Sequence, residues 1–365
     1  MKVGIFTFPN STSYGAVLQM YALYRSVEKL GHTVEIINYQ NAYMKANKHV
    51  ERNTSARVLA KQKISNLLHA PLYRAFRRFE HSKMNRYPSA KVENPHRLVE
   101  IGKRYDAVIC GSDQVWNPDI TGNDLSYFLN FCTPATRRIS YAPSFGIEEF
   151  SKEFCASIEG ELKQFTALSV REAQGQALLR SMLSREVPLV CDPTFLLSKE
   201  EWEALERPHS AGKGEYILYY TIRRSGELYQ KCRALSKETG LPVVIVGGNV
   251  LKKLKNRDPM VRYAVDISPE QWLYLVHHAR YVVTNSFHGT AFSVNFRKDF
   301  YVEFSSLTNS RLSHIINTLG LSQRVVNGNL VPSSIDYHIV ASTLHEICGD
   351  SLLYLKNALQ ETING

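Results

Sequence analysis

Residues 2–38 read KVGIFTFPNSTSYGAVLQMYALYRSVEKLGHTVEIIN. The stretch opens with an apolar strand, Lys2–Phe8, and continues into small and polar turn formers from Asn10 to Gly15. From Ala16 onward, Val17, Leu18, Tyr21, Leu23, Val27 and Leu30 recur at helical spacing, and Gly31 ends the helix. Thr33–Asn38 is again strand-like. Strand, helix and strand in so few residues form a βαβ unit, which commits the two strands to a parallel sheet.

The alternation continues outward from this start. Strands are expected at Tyr105–Cys110, Arg138–Tyr141, Ala167–Val170 and Val187–Val190, with helices near Glu148–Gln164 and from Arg171 or Glu172. Asp192-Pro193-Thr194, followed by Ser198 as a helix N-cap, marks a domain boundary. A second series follows, with strands at Tyr216–Ile222, Val243–Val246, Tyr281–Thr284 and Phe300–Phe304. Its helices are expected at Gly226–Thr239, from Ser268-Pro269 to about Ala279, and at His288–Phe296. Residues 1–195 thus read as one Rossmann-like domain and 196–365 as a second. One or two final helices, Tyr337 to about Leu359, are placed to pack back on the first domain. The fold class expected is α/β and GT-B-like, with two doubly wound domains facing a cleft.

A chain of 365 residues suits two domains, because single cores stop growing near ~250–300 residues. Hydrophobic residues at 44% and charged residues at 21% are ordinary globular values. No apolar run approaches the roughly 20 residues of a membrane span, and the apolar part of the N-terminus is too short for a secretory signal. A cytoplasmic protein is expected. The six cysteines contain no C-x-x-C pair and read as reduced and buried. His277 and His278 are adjacent, which places them on different helix faces and makes them a poor ligand pair, so no metal is expected.

The net charge is +10. Its most uneven part lies in a basic helical insertion at 41–100, where Arg52–Arg86 holds nine Lys/Arg and the single acid Glu80. Val58, Leu59, Ile64, Leu67, Leu68, Leu72, Phe76 and Phe79 recur there at helical period. The segment reads either as a solvated helical face or as a peripheral contact with the inner membrane surface or a lipid-phosphate acceptor. No nucleic-acid fold signature accompanies it.

Ligands of open parallel sheets bind beyond the carboxyl ends of the strands, and four polar clusters stand there. Tyr14, Gly15 and Gln19 open the first helix without a dinucleotide or P-loop motif. Gly111-Ser112-Asp113-Gln114-Val115-Trp116-Asn117 follows a buried strand. Asp113 in it is a base, a hydroxyl-orienting group or a helix cap, and Trp116 is a sugar-stacking platform or a core residue. Arg171, at a strand-to-helix corner, suits a carboxylate or phosphate or pairs with a neighbouring acid. Thr284-Asn285-Ser286-Phe287-His288-Gly289-Thr290 puts Ser286, His288 and Gly289 at a helix start, a place for an anion and for proton transfer. Arg311 follows as a second cation.

Together these clusters resemble the polysaccharide pyruvyl transferase family over nearly the whole chain. The resemblance is carried by Tyr14-Gly15-Ala16-Val17-Leu18-Gln19, Tyr105-Asp106, Gly111 to Asn117, and Tyr141-Ala142-Pro143-Ser144-Phe145-Gly146. It continues in Ser169-Val170-Arg171-Glu172, Asp192-Pro193-Thr194, Ser286-Phe287-His288-Gly289 and Arg311. Ser13 stands where the family commonly has Asn. The resemblance implies transfer of the enolpyruvyl group of phosphoenolpyruvate to a sugar of a glycan precursor, giving a pyruvate ketal and phosphate, with no cofactor. It implies donor handling by His288 and Arg171. Our reading of the chemistry then makes His288 the general acid or a phosphate ligand, with Arg171 and Arg311 as a clamp on donor carboxylate and phosphate and Asp113 on the acceptor side. Ser286 and Gly289 complete the donor set, and Tyr14, Gly15, Gln19 and Trp116 the acceptor set. A GT-B glycosyltransferase using a nucleotide sugar is the alternative.

Overall fold

The computed structural model describes residues 1–41, 43–44, 69–147, 149–248, 250–304 and 309–360. The chain forms two compact units, one of Met1–Thr54, Glu80–Leu196 and His345–Gly365, the other of Ser55–Phe79 and Leu197–Leu344. The first half of the basic Arg52–Arg86 segment, including Val58, Leu59, Ile64, Leu67 and Leu68, lies outside the described residues.

The first unit is built on a five-stranded parallel sheet in the order β3-β2-β1-β4-β5. Its strands are β1 (Lys2–Phe6), β2 (Thr33–Tyr39), β3 (Arg86–Val92), β4 (Ala107–Cys110) and β5 (Arg137–Ser140). Every residue of β4 is buried, as expected of a parallel strand covered on both faces. Helix α1 (Tyr14–Lys29) joins β1 to β2; Ser13 caps it by accepting from the Ala16 amide, and Gly31, at φ +87°, carries the chain out. The core stacks Phe6 on Tyr39 and packs it against Tyr127 and Phe131.

Strand β3 corrects the helical reading of 41–100. It follows helix α2 (Ala70–Lys83) and precedes helix α3 (His96–Gly102). It lies at the sheet edge, is largely polar and contains Pro88, features that an edge strand tolerates and that hide it from an apolar pattern. Ala167–Val170 and Val187–Val190 do not become strands. They make only the single bridges Ile139–Ala167 and Val170–Leu189, and Pro188 removes one donor from any longer ladder. Helix α4 (Lys152–Leu162) precedes them and α5 (Ala173–Leu183) lies between them.

The second unit repeats the plan in the order β10-β9-β6-β7-β8, all parallel. Its strands are β6 (Ile217–Tyr220), β7 (Val243–Val246), β8 (Val261–Ala264), β9 (Tyr281–Thr284) and β10 (Asp299–Val302). Its helices are α6 (Lys199–Glu203), α7 (Gly226–Thr239), α8 (Val250–Lys255), α9 (Pro269–His277), α10 (Phe287–Asn295) and α11 (Asn309–Thr318). Ser268 and Gln271 form a reciprocal capping box at α9, with Pro269 in its first turn. Trp202, Trp272, Phe292 and Tyr220 pack edge to face in the core.

The last helix, α12 (Tyr337–Gln360), enters the first unit at His345. There the Cys191 amide donates to Ser351 Oγ (2.9 Å), the Tyr354 hydroxyl donates to the Ser140 carbonyl (2.9 Å), and Arg137 donates to the Leu359 carbonyl. Among the described residues, no helix is long and apolar enough to cross a membrane.

A buried ion pair holds the loop after β1. Glu80 and Arg86 meet at 2.6 Å with side chains 0% and 4% exposed. The Asn10 amide donates to Glu80, Arg86 donates to Asn10 Oδ1, and Asn10 Nδ2 donates to Asn38. Asn10 itself stands at φ +63°, a left-handed conformation that needs such support. Removing one partner of a buried pair leaves an uncompensated charge, so Arg86→Met is expected to lose about 3–5 kcal/mol of stability. Urea denaturation measures this, and a loss of about 1 kcal/mol or less would reduce the pair to surface strength.

Candidate functional site

In both sheets the first strand sits at the middle, and the strand order reverses beside it. Doubly wound sheets open a ligand crevice at that reversal. In the first unit it falls between β1 and β4, so loops 7–13 and 111–117 flank it. The Thr7 hydroxyl ties them by donating to the Ser112 carbonyl at 2.9 Å. Asp113 stands at φ +86°, half-buried, with one carboxylate oxygen accepting from the Gln114 amide. Ala142, after β5, is also left-handed at φ +54°. A side chain at Gly146 (φ +63°) would collide with Gln114, whose Nε2 lies 2.0 Å from where its Cβ would be. Non-glycine residues held in this region carry strain, and strain of this kind clusters at ligand sites.

Beneath this loop lies a buried charge cluster. Arg171, 4% exposed, donates to Asp192 (2.5 Å) and Ser112 (3.2 Å), and its Nε lies 3.8 Å from Glu172. Asp192 also accepts from the Ser112 hydroxyl and from the amide and hydroxyl of Thr194. Glu172 accepts from the Ser144 hydroxyl at 2.5 Å. Burial works against the Arg171 charge, but Asp192, Glu172 and Asp113 outweigh it and leave the guanidinium pKa above its usual value. Within its unit, Arg171 is therefore paired with neighbouring acids.

Two acceptor-side assignments need correction. Trp116 is fully buried: its indole donates to the Tyr127 carbonyl at 2.9 Å and stacks on Phe128, with Phe145 and Phe165 around it. No ring face is left for a sugar. Gln19 is also fully buried, its amide donating to the Ala16 carbonyl on a helix covered on nearly every side. Tyr14 and Gly15 form the buried first turn of α1. Asp113 is the residue of this group placed with access to solvent.

In the second unit the reversal falls between β6 and β9. Asn285 bridges the two loops, accepting from the Ile222 amide (3.0 Å) and donating to the Arg223 carbonyl (2.9 Å). Ser286 caps α10, with its hydroxyl accepting from the Gly289 amide at 3.2 Å, and His288 occupies the first turn, 8% exposed. Gly289 cannot carry a side chain, since a Cβ would stand 2.3 Å from Thr284 Oγ1. Burial pushes the Tyr220 hydroxyl up to about 12, opposed by its hydrogen bond to Ser286. Arg311 is half-buried on α11, which packs beside α10. His288, Ser286 and Gly289 are thus brought together. Sequence reasoning missed Asn285 as the tie, and it missed the exposed cations Arg223 and Arg224 on the facing loop. The Arg223-Arg224 pair between β6 and the Ser225 cap was the available signal.

His277 and His278 also depart from expectation. Helix α9 ends at His277, and His278 takes φ −90°, ψ 1° as its C-cap, which brings both rings onto Glu206.

Two Rossmann-like units of this topology define a GT-B-like α/β protein. Comparison with solved structures agrees. UDP-GlcNAc 2-epimerase from Methanocaldococcus jannaschii aligns over 94% of this chain and 92% of its own at 11% identity and TM-score 0.51. A candidate UDP-N-acetylglucosamine 2-epimerase from Listeria monocytogenes aligns over 98% and 91% at 9% identity and TM-score 0.53. The E. coli heptosyltransferase WaaC aligns over 95% and 100% at 14% identity and TM-score 0.43. At these identities the likeness to the two epimerase structures establishes the fold alone. No curated protein sequence matches the chain. The family model for polysaccharide pyruvyl transferase matches residues 14–302. The chain belongs to that family and is a transferase.

Replacement of Trp116 by Phe removes a buried hydrogen bond and ring volume, so the denaturation midpoint is expected to fall while the acceptor KM stays constant. A raised KM at unchanged stability would return the indole to the acceptor site.

Proposed function

We propose that this transferase moves the enolpyruvyl group of phosphoenolpyruvate onto a sugar of a polysaccharide precursor and closes a pyruvate ketal there. The observation that carries the reading is the placement of His288. It stands in the first turn of a capped helix at the strand-order reversal of the second unit, opposite a loop carrying Arg223 and Arg224. A helix start and two cations suit a donor bearing carboxylate and phosphate.

The donor's methylene carbon takes a proton and becomes a methyl group, leaving positive charge at C2. A sugar hydroxyl adds to C2 and loses its proton, and the C2–O bond to phosphate breaks. A second hydroxyl of the same sugar then adds to C2 and loses its proton, closing the ketal. His288 is assigned the proton delivered to the methylene carbon, with Ser286 and the Gly289 backbone at the phosphate and Arg311 as a further cation. In the first unit, Asp113 is assigned to orient or deprotonate the acceptor hydroxyl, and its half-buried, strained position supports this.

A ligand that binds only the native state raises its apparent stability. Phosphoenolpyruvate is expected to raise the melting temperature, and UDP- and GDP-sugars are not. The reverse pattern would assign nucleotide-sugar glycosyl transfer to this fold instead. His288→Gln is expected to lower kcat on the order of 10²–10⁴-fold with a much smaller change in donor affinity. An unaltered kcat would remove His288 as the acid.

We also propose that the acceptor is lipid-linked and is met at the membrane surface by the basic segment. Arg74, Arg77 and Arg78 are exposed on α2, and such cations contribute about 1 kcal/mol each near an anionic bilayer. The triple Ser replacement is expected to abolish cosedimentation with anionic vesicles while retaining activity on short soluble acceptors. Cosedimentation equal to the parent's would overturn the membrane assignment.

A further inference from the structure

The second unit carries a cluster that the transfer chemistry does not use. Glu206 accepts from two imidazoles at once: His277 Nδ1 lies 2.7 Å from its Oε1 and His278 Nε2 lies 3.1 Å from its Oε2. One ligand atom from each of the three residues falls within 4.8 Å of the other two. The outer shell is also in place, because His277 Nε2 reaches Glu203 at 3.2 Å. A metal-bound imidazole characteristically gives its remaining N–H to a carboxylate, which sets its tautomer and raises its basicity.

The rings are held where they stand. Phe296 stacks on His277 at 4.7 Å, and Tyr274 packs on His278 at 4.3 Å. Glu203 and Glu206 share one turn at the end of α6, with the Glu206 amide donating to the Glu203 carbonyl. His277 and Glu206 are partly buried, and His278 keeps 45% of its side chain exposed, which leaves a path for an ion. The cluster stands where α9 leads into the start of β9, whereas His288 follows the end of that strand. It is therefore at the opposite edge of the same sheet.

We propose that Glu206, His277 and His278 form a binding site for a divalent cation of the Zn²⁺ class, with Glu203 supporting His277 from the outer shell. Two imidazole nitrogens and one carboxylate oxygen are the donor set that Zn²⁺ and its neighbours Co²⁺ and Ni²⁺ accept, and Mg²⁺ or Ca²⁺ would call for oxygen donors. The ion lies between Glu206 and the ring nitrogens that face it, and each imidazole keeps its proton on the other nitrogen, that of His277 directed to Glu203. Three protein donors leave a fourth tetrahedral position for water. Bound there, the ion clasps the end of α6 to the end of α9, and the assignment is independent of the identity of the donor substrate.

The test uses the full chain, free of any histidine tag, stripped with chelator and titrated with Co²⁺ and then Zn²⁺. One equivalent of Co²⁺ per chain is expected, with visible absorption of a low-coordinate nitrogen–oxygen site, displaced by Zn²⁺. His278→Ala and Glu206→Gln should abolish the spectrum, and Glu203→Gln should keep it while weakening affinity by about 10–100-fold. Melting curves recorded in chelator verify that each variant is folded. Zn²⁺ should also raise the melting temperature of the parent and leave that of His278→Ala unchanged. A featureless titration of the parent protein overturns the site, as does a spectrum that survives both His278→Ala and Glu206→Gln.

Discussion

Each sheet places its first strand in the middle, and both candidate sites depend on that constraint. Parallel pairing sends the loops after β1 and β4 to one edge, and those after β6 and β9 likewise. Where strand order reverses in a doubly wound sheet, the following helices depart to opposite faces and a crevice opens between the loops. Polar backbone exposed in such a crevice needs partners. Thr7 supplies one across the first gap and Asn285 supplies two across the second. The left-handed residues Asn10, Asp113 and Ala142 crowd the same edge of the first sheet.

Buried charge organises the first unit around this edge. Glu80 with Arg86, and Arg171 with Asp192, are pairs that a hydrophobic pair of equal volume could replace at little cost in stability. What they provide is position. Asn10 is gripped through its backbone and its side chain, and Ser112 is drawn to Asp192 from the middle of a loop that would otherwise have several conformations. In the second unit neutral groups take this role, with Thr284, Ser286 and Gly289 packed so closely that one methyl group would not fit.

Much of this architecture was legible in the chain. Four-residue apolar runs such as Val243–Val246 and Tyr281–Thr284 announce strands buried on both faces, and Ser198, Ser268 and Ser286 announce helix starts. The strands that escaped are two of the four edges. In Arg86–Val92 and Val261–Ala264 the apolar pattern is interrupted by the exposed Lys91, by the half-buried Arg262 and by Arg86, which turns inward to Glu80. Of the candidate site, one local grouping was legible. His288, Ser286 and Gly289 stand together as their spacing suggested, because all three lie on one helix turn and its cap. Asn285 was hidden because its partners come from the loop after β6, 63 and 62 residues earlier in the chain.

The sequence by itself determined most of the alternation of strands and helices, the loop chemistry at each carboxyl edge and, through motifs that resemble it, the family. The alternation and the loop chemistry follow from local periodicity, capping and turn preferences, which act over a few residues. Tertiary structure alone decided which polar and aromatic side chains turn inward. Trp116 is a core residue because Tyr127, Phe128 and Phe165 close over it, and Arg171 is an internal cation because Asp192 returns beside it. His277 and His278, adjacent and expected to diverge, converge because a helix ends between them and Glu206, 71 residues from His277 in the chain, meets them both. Such outcomes depend on partners distant in sequence, and no local pattern encodes them.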